Sequence, residues 1–114
     1  MEMKLLAESK LKATRHRGSI RLWIEGTKLA KAGFKRNDSY TIRVVKFHSP
    51  ELQSGLMITK DQHGKNKVSG RVRNGKELPI IDRHSPEWDK LFFDHYDYGW
   101  KLNVKFYDGF ITVT

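Results

Sequence analysis

Residues 21–45, RLWIEGTKLAKAGFKRNDSYTIRVV, change their hydrophobic periodicity twice. The stretch begins by alternating apolar and polar side chains, which is the pattern of a strand with one buried face. Residues 27–33 follow helical spacing, and Gly33 stands where a helix C-terminus favours a left-handed residue. Residues 37–38 form a turn that tolerates positive φ, and alternation resumes at residues 40–44. The order predicted is therefore strand, short helix, turn and strand.

The C-terminal part of the chain repeats these signals. Ser85 is a typical helix N-cap and Pro86 a typical first helical residue, which predicts a second short helix at residues 86–93. Residues 99–114, GWKLNVKFYDGFITVT, predict a hairpin with a type I′ turn at Asp108-Gly109. In that register one apolar face, expected in the core, contains Trp100, Leu102, Val104, Phe106, Ile111 and Val113.

Superposing the two halves of the sequence reveals an internal repeat. Ile24 matches Ile81 at an offset of 57, and the offset drifts to 60 only across loops. Neither half has enough apolar residues for a core of its own. We therefore expect residues 1–114 to form one mainly β domain from two repeats, about 7–60 and 67–114, which interdigitate as a pseudo-twofold pair in a closed or nearly closed small barrel.

Composition narrows the possible functions. The 114 residues are 38% hydrophobic, which is enough for one domain with a modest core. The chain has no cysteine, so disulfides, thiolate zinc sites and cysteine nucleophiles are excluded. No apolar run is long enough for a signal peptide or a membrane span, which predicts a cytoplasmic protein. Nothing in the sequence calls for a cofactor.

The charge is strongly basic and unevenly distributed. The chain has 22 Lys and Arg against 13 Asp and Glu, with a sequence pI of about 9.9. Residues 1–76 contain 18 of these cations and only 6 of the acids. A solvated, solubilising surface is one interpretation of such clusters. The asymmetry favours another, in which the partner is a polyanion.

The residues also show a resemblance to a known family. The pattern SIRLWIEGTKLAKAGFKRNDSYTIRVV…GLMIT resembles SymE-type toxins, which are swapped-hairpin relatives of the AbrB and MazE transcription factors. The resemblance covers about residues 19–60 and, more loosely, 77–114, where Leu91-Phe92-Phe93 replaces Ala32-Gly33-Phe34. Over its full length the chain is similar to a tandem module that precedes the catalytic domain of some phage-type DNA methyltransferases.

This resemblance implies nucleic-acid binding. AbrB-like folds contact the DNA backbone with basic residues of their first strands and connecting loop, a role that falls here on Lys10, Lys12, Arg15, Arg17 and Arg21. The matching segment of the second repeat supplies Lys67, Arg71, Arg73 and Lys76, and the turn after the first helix adds Lys35 and Arg36. Contacts of this kind bind phosphates without reading bases, so we expect low-specificity binding of duplex DNA, in preference to RNA.

Two other functions stay open. SymE-like proteins have been regarded as RNA-cleaving toxins, and His16, between Arg15 and Arg17, is the one candidate for acid-base chemistry. It has no second acid or base to pair with, and the five histidines show no metal-ligand spacing, so catalysis is the weaker interpretation. A phage-type inhibitor that docks on a host nucleoprotein defence complex with the same basic face is the third possibility.

Aromatic residues on the less buried strand faces also allow two interpretations. They can stack on bases, or they can pack across strands, which is the commoner use. These residues are Trp23, Phe47, Tyr107 and Phe110.

Overall fold

The computed structural model describes residues 4–12, 14–16, 19–45, 55–88 and 101–114, which form ten β-strands and one α-helix. The mainly β class is therefore confirmed. The elements are β1 (Ala7–Lys12), β2 (Thr14–His16), β3 (Ser19–Glu25), α1 (Thr27–Lys31), β4 (Ser39–Val45), β5 (Gly55–Lys60), β6 (Asn66–Lys67), β7 (Ser69–Arg73), β8 (Lys76–Ser85), β9 (Lys101–Tyr107) and β10 (Phe110–Val113). Within the described ranges, no helix has the length and hydropathy needed to cross a membrane.

The strands form two antiparallel sheets. One sheet has six strands in the order β1-β9-β10-β5-β4-β6, and the other has four in the order β2-β3-β8-β7. The sequence predicted a closed or nearly closed barrel, but the described residues form two separate sheets and no closed barrel. Each sheet therefore has an inner face toward the core and an outer face away from it.

The strand order is the same when the two halves of the chain are exchanged. In the four-stranded sheet the central strands β3 and β8 pair so that Ile24 lies directly opposite Ile81, the residue that the repeat matches with it. In the six-stranded sheet, hairpins β4-β5 and β9-β10 lie side by side, while β1 pairs with β9 and β6 pairs with β4. The leading strand of each half thus pairs with the hairpin of the other half.

A single apolar cluster fills the space between the sheets, and both halves contribute to it. The predicted core face of β9 and β10 is confirmed from Leu102 to Val113, whereas Trp100 lies outside the described residues. The buried side chains of the cluster are Ile20, Leu22, Ile24, Leu29, Ala32, Phe34, Tyr40, Leu56, Ile58, Val68, Ile81, Trp88, Leu102, Val104, Phe106, Ile111 and Val113. Full burial of each large aliphatic or aromatic side chain contributes about 1.5–3 kcal/mol.

The helix α1 ends as its sequence predicts. Gly33 has φ of +94°, and its N–H donates to the carbonyl of Ala30, while the Phe34 N–H donates to the carbonyl of Leu29. This pair of bonds is a Schellman motif, and the buried side chains of Leu29 and Phe34 supply its apolar contact. The motif turns the chain back toward the core.

The second predicted helix is described only at its start. Glu87 and Trp88 have helical conformation, and the Glu87 N–H donates to Ser85 Oγ at 3.3 Å, as expected of an N-cap. The rest of the predicted helix at 86–93 lies outside the described residues.

The hairpin turn at Asp108-Gly109 has the predicted register but a different conformation. A type I′ turn needs positive φ at both central residues, and here only Gly109 has it, with φ of +85°. The type I′ prediction is therefore wrong at this turn. The reason is tertiary, because the Gly109 N–H donates to the Ala32 carbonyl and the Gly109 carbonyl accepts from the Lys60 N–H.

Strand β4 also departs from expectation. Its alternation predicted one buried face at Tyr40, Ile42 and Val44, but burial decreases along the strand, and Val44 is 40% exposed. The cause is the short neighbour β6, which pairs only with Ser39 and Tyr40. Beyond Tyr40, this part of β4 lies at the edge of the six-stranded sheet.

Candidate nucleic-acid interface

The outer face of the six-stranded sheet, called here the six-stranded face, carries most of its charge on alternate residues. In β9 the exposed residues Lys101, Asn103 and Lys105 alternate with buried neighbours of the core. In β1 the exposed residues Lys10 and Lys12 alternate in the same way. The period of two that buries one set of side chains therefore presents the other set to solvent.

Strand register brings these lysines together. Lys12 lies directly opposite Lys101, and Lys10 lies opposite Asn103. Directly opposite residues have Cβ atoms about 4.5–5.5 Å apart, and successive rows follow at about 6.8 Å along the strands. Like charges directly opposite are destabilising, so the pairing of Lys12 with Lys101 is a cost that a bound anion would relieve.

One row of side chains crosses five strands of this face. Register places its members side by side in the order Glu8, Lys105, Thr112, Met57 and Arg43. At about 4.8 Å between strands, the row is about 19 Å long. The six-stranded face is therefore broad, and it has a cation near each end of this row.

Few acidic groups oppose the cations on this face. Glu8 is the one acidic residue among its strand positions within the described ranges. Over the same ranges, none of its cations forms an ion pair. The cations of the face are Lys10, Lys12, Arg43, Lys67, Lys101 and Lys105.

The outer face of the four-stranded sheet, called here the four-stranded face, differs in this respect. Arg21 binds Asp82 through two hydrogen bonds, Nε to Oδ1 at 2.8 Å and Nη2 to Oδ2 at 2.9 Å. The hydrogen bond to Asp82 raises the pKa of Arg21, and its guanidinium carbon lies 4.9 Å from the centre of the Trp23 ring. This predicted phosphate contact is thus already engaged by a carboxylate and an aromatic ring.

Two more predicted contacts have carboxylate partners. Arg71 Nη2 lies 3.0 Å from Glu25 Oε2, and Arg36 Nη1 lies 3.5 Å from Glu77 Oε1. Arg73 and Lys76 face each other across the β7-β8 turn and are exposed, without an ion pair among the described residues.

The remaining predicted residues are distributed around the fold. Lys35 is exposed after α1, and its backbone N–H donates to the Asp38 carboxylate at 2.8 Å. Arg15 and His16 lie on β2, opposite Ile20 and Ser19 in register. Arg17 lies outside the described residues. The structure thus places Lys10, Lys12 and Lys67 on the six-stranded sheet, and Arg21, Arg71, Arg73 and Lys76 on the four-stranded sheet.

Three cations of the six-stranded face were not singled out by the sequence analysis. Arg43, Lys101 and Lys105 stand alone between apolar residues, whereas the predicted phosphate contacts lie in clusters of neighbouring cations. The signal that would have identified them is their alternation with the apolar residues of β4 and β9.

The described residues offer no metal centre. Over the described ranges, no three His, Asp or Glu side chains lie close enough together to hold a metal ion. No family model, curated protein or solved structure matches the chain. The geometry and charge of the two faces are therefore the features that bear on function.

Proposed function

We propose that the protein binds nucleic acid, with duplex DNA as its main ligand and little sequence preference, through the six-stranded face. The observation that carries the proposal is the set of exposed cations on this face, which have one acidic residue among them and no ion pair within the described ranges. Lysines in this arrangement neutralise phosphates and release counterions, which favours binding in proportion to the number of contacts.

The proposed ligand follows from the secondary structure and the side chains of the face. The six-stranded face consists of strands and presents no helix to a major groove, where base edges are read. Lysine is a flexible point charge and suits phosphates better than it suits bidentate contacts with bases. Phosphate contacts fix the position of a protein on DNA and carry no direct sequence information.

We also propose that the chain is a single-chain tandem of two swapped-hairpin units of the AbrB and SymE type. Its support is the strand order, in which each leading strand pairs with the hairpin of the other half. Two matched central strands, with Ile24 opposite Ile81, support the same arrangement. In this proposal residues 1–114 are one domain, and the second repeat acts as the structural partner of the first.

An electrophoretic shift assay tests the function. Purified protein is mixed with labelled duplex DNA, single-stranded DNA and RNA of one length, at 50 and 200 mM salt. We expect duplex binding of similar strength for unrelated sequences, falling steeply between the two salt concentrations. Absence of a shift with every nucleic acid at 50 mM salt, or an affinity that does not depend on salt, would contradict the proposal.

A further inference from the structure

Two aromatic rings stand at one end of the six-stranded face. Tyr107 and Phe110 lie opposite each other across the β9-β10 turn, and their ring centres are 4.6 Å apart with an angle of 7° between the ring planes. The rings are therefore stacked face to face, and both side chains are only half-buried. Packing between them uses one face of each ring.

The second face of Phe110 borders small side chains. Phe110 pairs with Tyr107 on one side and with Thr59 of β5 on the other. Because Tyr107 covers the ring from the β9 side, the opposite ring face is directed toward β5. Thr59 pairs in turn with Thr41 of β4, and these two residues define the threonine shelf. Among the described residues, the register places no large side chain between Phe110 and this shelf.

Cations flank the same place. Lys105 precedes Tyr107 by two residues in β9, and Arg43 follows Thr41 by two residues in β4. Alternate residues of a strand lie on one face about 6.8 Å apart. The row that contains Lys105 and Arg43 therefore runs directly beside the row that contains the rings and the shelf.

We propose that Phe110 stacks on an unpaired base that lies over the threonine shelf, while Lys105 and Arg43 hold the adjoining phosphates. This inference rests on the proposed function and adds to it a preference for DNA that carries single-stranded nucleotides next to a duplex. A paired base inside a duplex has both of its faces covered by its neighbours, whereas an unpaired base at an overhang is free to turn a face toward an aromatic ring. Stacking of this kind accepts any base, because every base has a π face.

The experiment compares two DNA molecules with the same duplex, one blunt and one with an overhang of three nucleotides. Affinities are measured by fluorescence anisotropy for the wild type and for Phe110→Leu, which removes the ring and keeps an apolar side chain. We expect the wild type to prefer the overhang by about fivefold or more, the lower end of the effect of stacking one base on an aromatic side chain. Phe110→Leu should lose that preference and retain the wild-type affinity for the blunt duplex.

Two further variants separate the loss of stacking from a folding defect at the β9-β10 turn. One lies outside the turn, and the other keeps an aromatic ring at residue 110. Thr59→Leu fills the threonine shelf and leaves both rings in place, so it should also remove the preference, whereas Phe110→Trp should keep it. Circular dichroism confirms that each variant is folded. Equal affinity of the wild type for the two DNA molecules, or a preference that survives both Phe110→Leu and Thr59→Leu, would overturn the inference and leave duplex binding intact. If the wild type binds neither DNA molecule, the proposed function is overturned, and this inference with it.

Discussion

The two outer faces of the molecule differ in how their cations are paired, although Arg73 and Lys76 at the β7-β8 turn of the four-stranded face are also exposed and without an ion pair within the described ranges. On the four-stranded face, Arg21 and Arg71 are held by Asp82 and Glu25 at 2.8–3.1 Å. On the six-stranded face, Lys10 and the other cations have no such partner within the described ranges. Both faces derive from strands rich in Lys and Arg, so the count of basic residues does not distinguish them.

The difference shows which charges are available to a ligand. An arginine that already binds a carboxylate has fewer free donors and a partly neutralised charge, and the adjacent carboxylate repels a phosphate. An exposed lysine without a partner loses only water. The proposed interface is therefore the face with fewer carboxylates, although the densest runs of basic sequence lie elsewhere.

The largest expected effect comes from cutting the chain, because both faces are built from strands of both halves. A fragment of residues 1–64 lacks β8, β9 and β10, and its apolar side chains would face water. We expect this fragment to be unfolded by circular dichroism and to show no cooperative thermal transition. A folded, monomeric fragment would contradict the interdigitated arrangement and the idea that the faces are shared.

The second-largest effect is expected when three cations are removed from one face at a time and the salt dependence of duplex binding is measured. Lys10, Lys101 and Lys105 are changed together to Ala in one variant, and Arg71, Arg73 and Lys76 in a control that loses the same charge. Each phosphate contact contributes about −0.9 to the slope of log K against log salt on duplex DNA, so the first variant should reduce the magnitude of the slope by about 2.7. The control should change it by less than one contact. Equal changes in the two variants would show that the faces do not differ in function.

A smaller effect is expected when a paired cation is released. Asp82→Asn removes the carboxylate that engages Arg21 through two hydrogen bonds, so the four-stranded face gains one available cation. The duplex is proposed to bind the six-stranded face, and Arg21 lies on the other outer face, so we expect the salt slope of duplex binding to change no more than in Asp61→Asn, a control that removes the same charge from a loop. A salt dependence that is steeper than in the control by about one phosphate contact would show that the duplex also contacts the four-stranded face.

The smallest effect concerns a hydrogen bond between the two sheets. Arg83 Nε of the four-stranded sheet donates to the Tyr40 hydroxyl of the six-stranded sheet at 3.3 Å. Burial raises the pKa of Tyr40 above its ordinary value of about 10, an effect that outweighs the opposing hydrogen bond from Arg83. In the unfolded chain Tyr40 therefore loses its proton at lower pH than in the folded protein.

The resulting contribution to stability is complete below about pH 10 and is lost as the pH rises through the value of the folded state. We expect the free energy of unfolding, measured by urea titration between pH 8 and 11, to fall less steeply in Tyr40→Phe than in the wild type. The substitution itself should cost about 1 kcal/mol at neutral pH, the usual contribution of one hydrogen bond. Parallel pH profiles for the two proteins would contradict the assignment.

Local patterns predicted much of the fold. The alternation of β3 and β9, the end of α1 at Gly33 and the register of the β9-β10 hairpin each depend on a few neighbouring residues. Asn37 takes positive φ in the turn where the sequence allowed it, with φ of +74°. The repeat also identified Ile24 and Ile81 as equivalents, and they lie opposite each other.

The candidate site was less predictable, because it depends on which cations lie near carboxylates. Arg21 and Asp82 are 61 residues apart in the sequence, and Arg71 and Glu25 are 46 apart. No local pattern indicates these pairs. The lysines of β9 are equally uninformative until their strand pairs with β1 and places Lys101 opposite Lys12.

The sequence by itself determined most of the strands, the helix end and the buried side of β3 and β9, since hydrophobic period and turn chemistry act over short distances. Tertiary structure decided the two-sheet arrangement, the conformation at Asp108-Gly109 and the state of each arginine. These features depend on contacts between distant segments, such as the bond from the Gly109 N–H to the Ala32 carbonyl. The ion pairs also depend on contacts between distant segments, because the attraction between two charges depends on their separation in space.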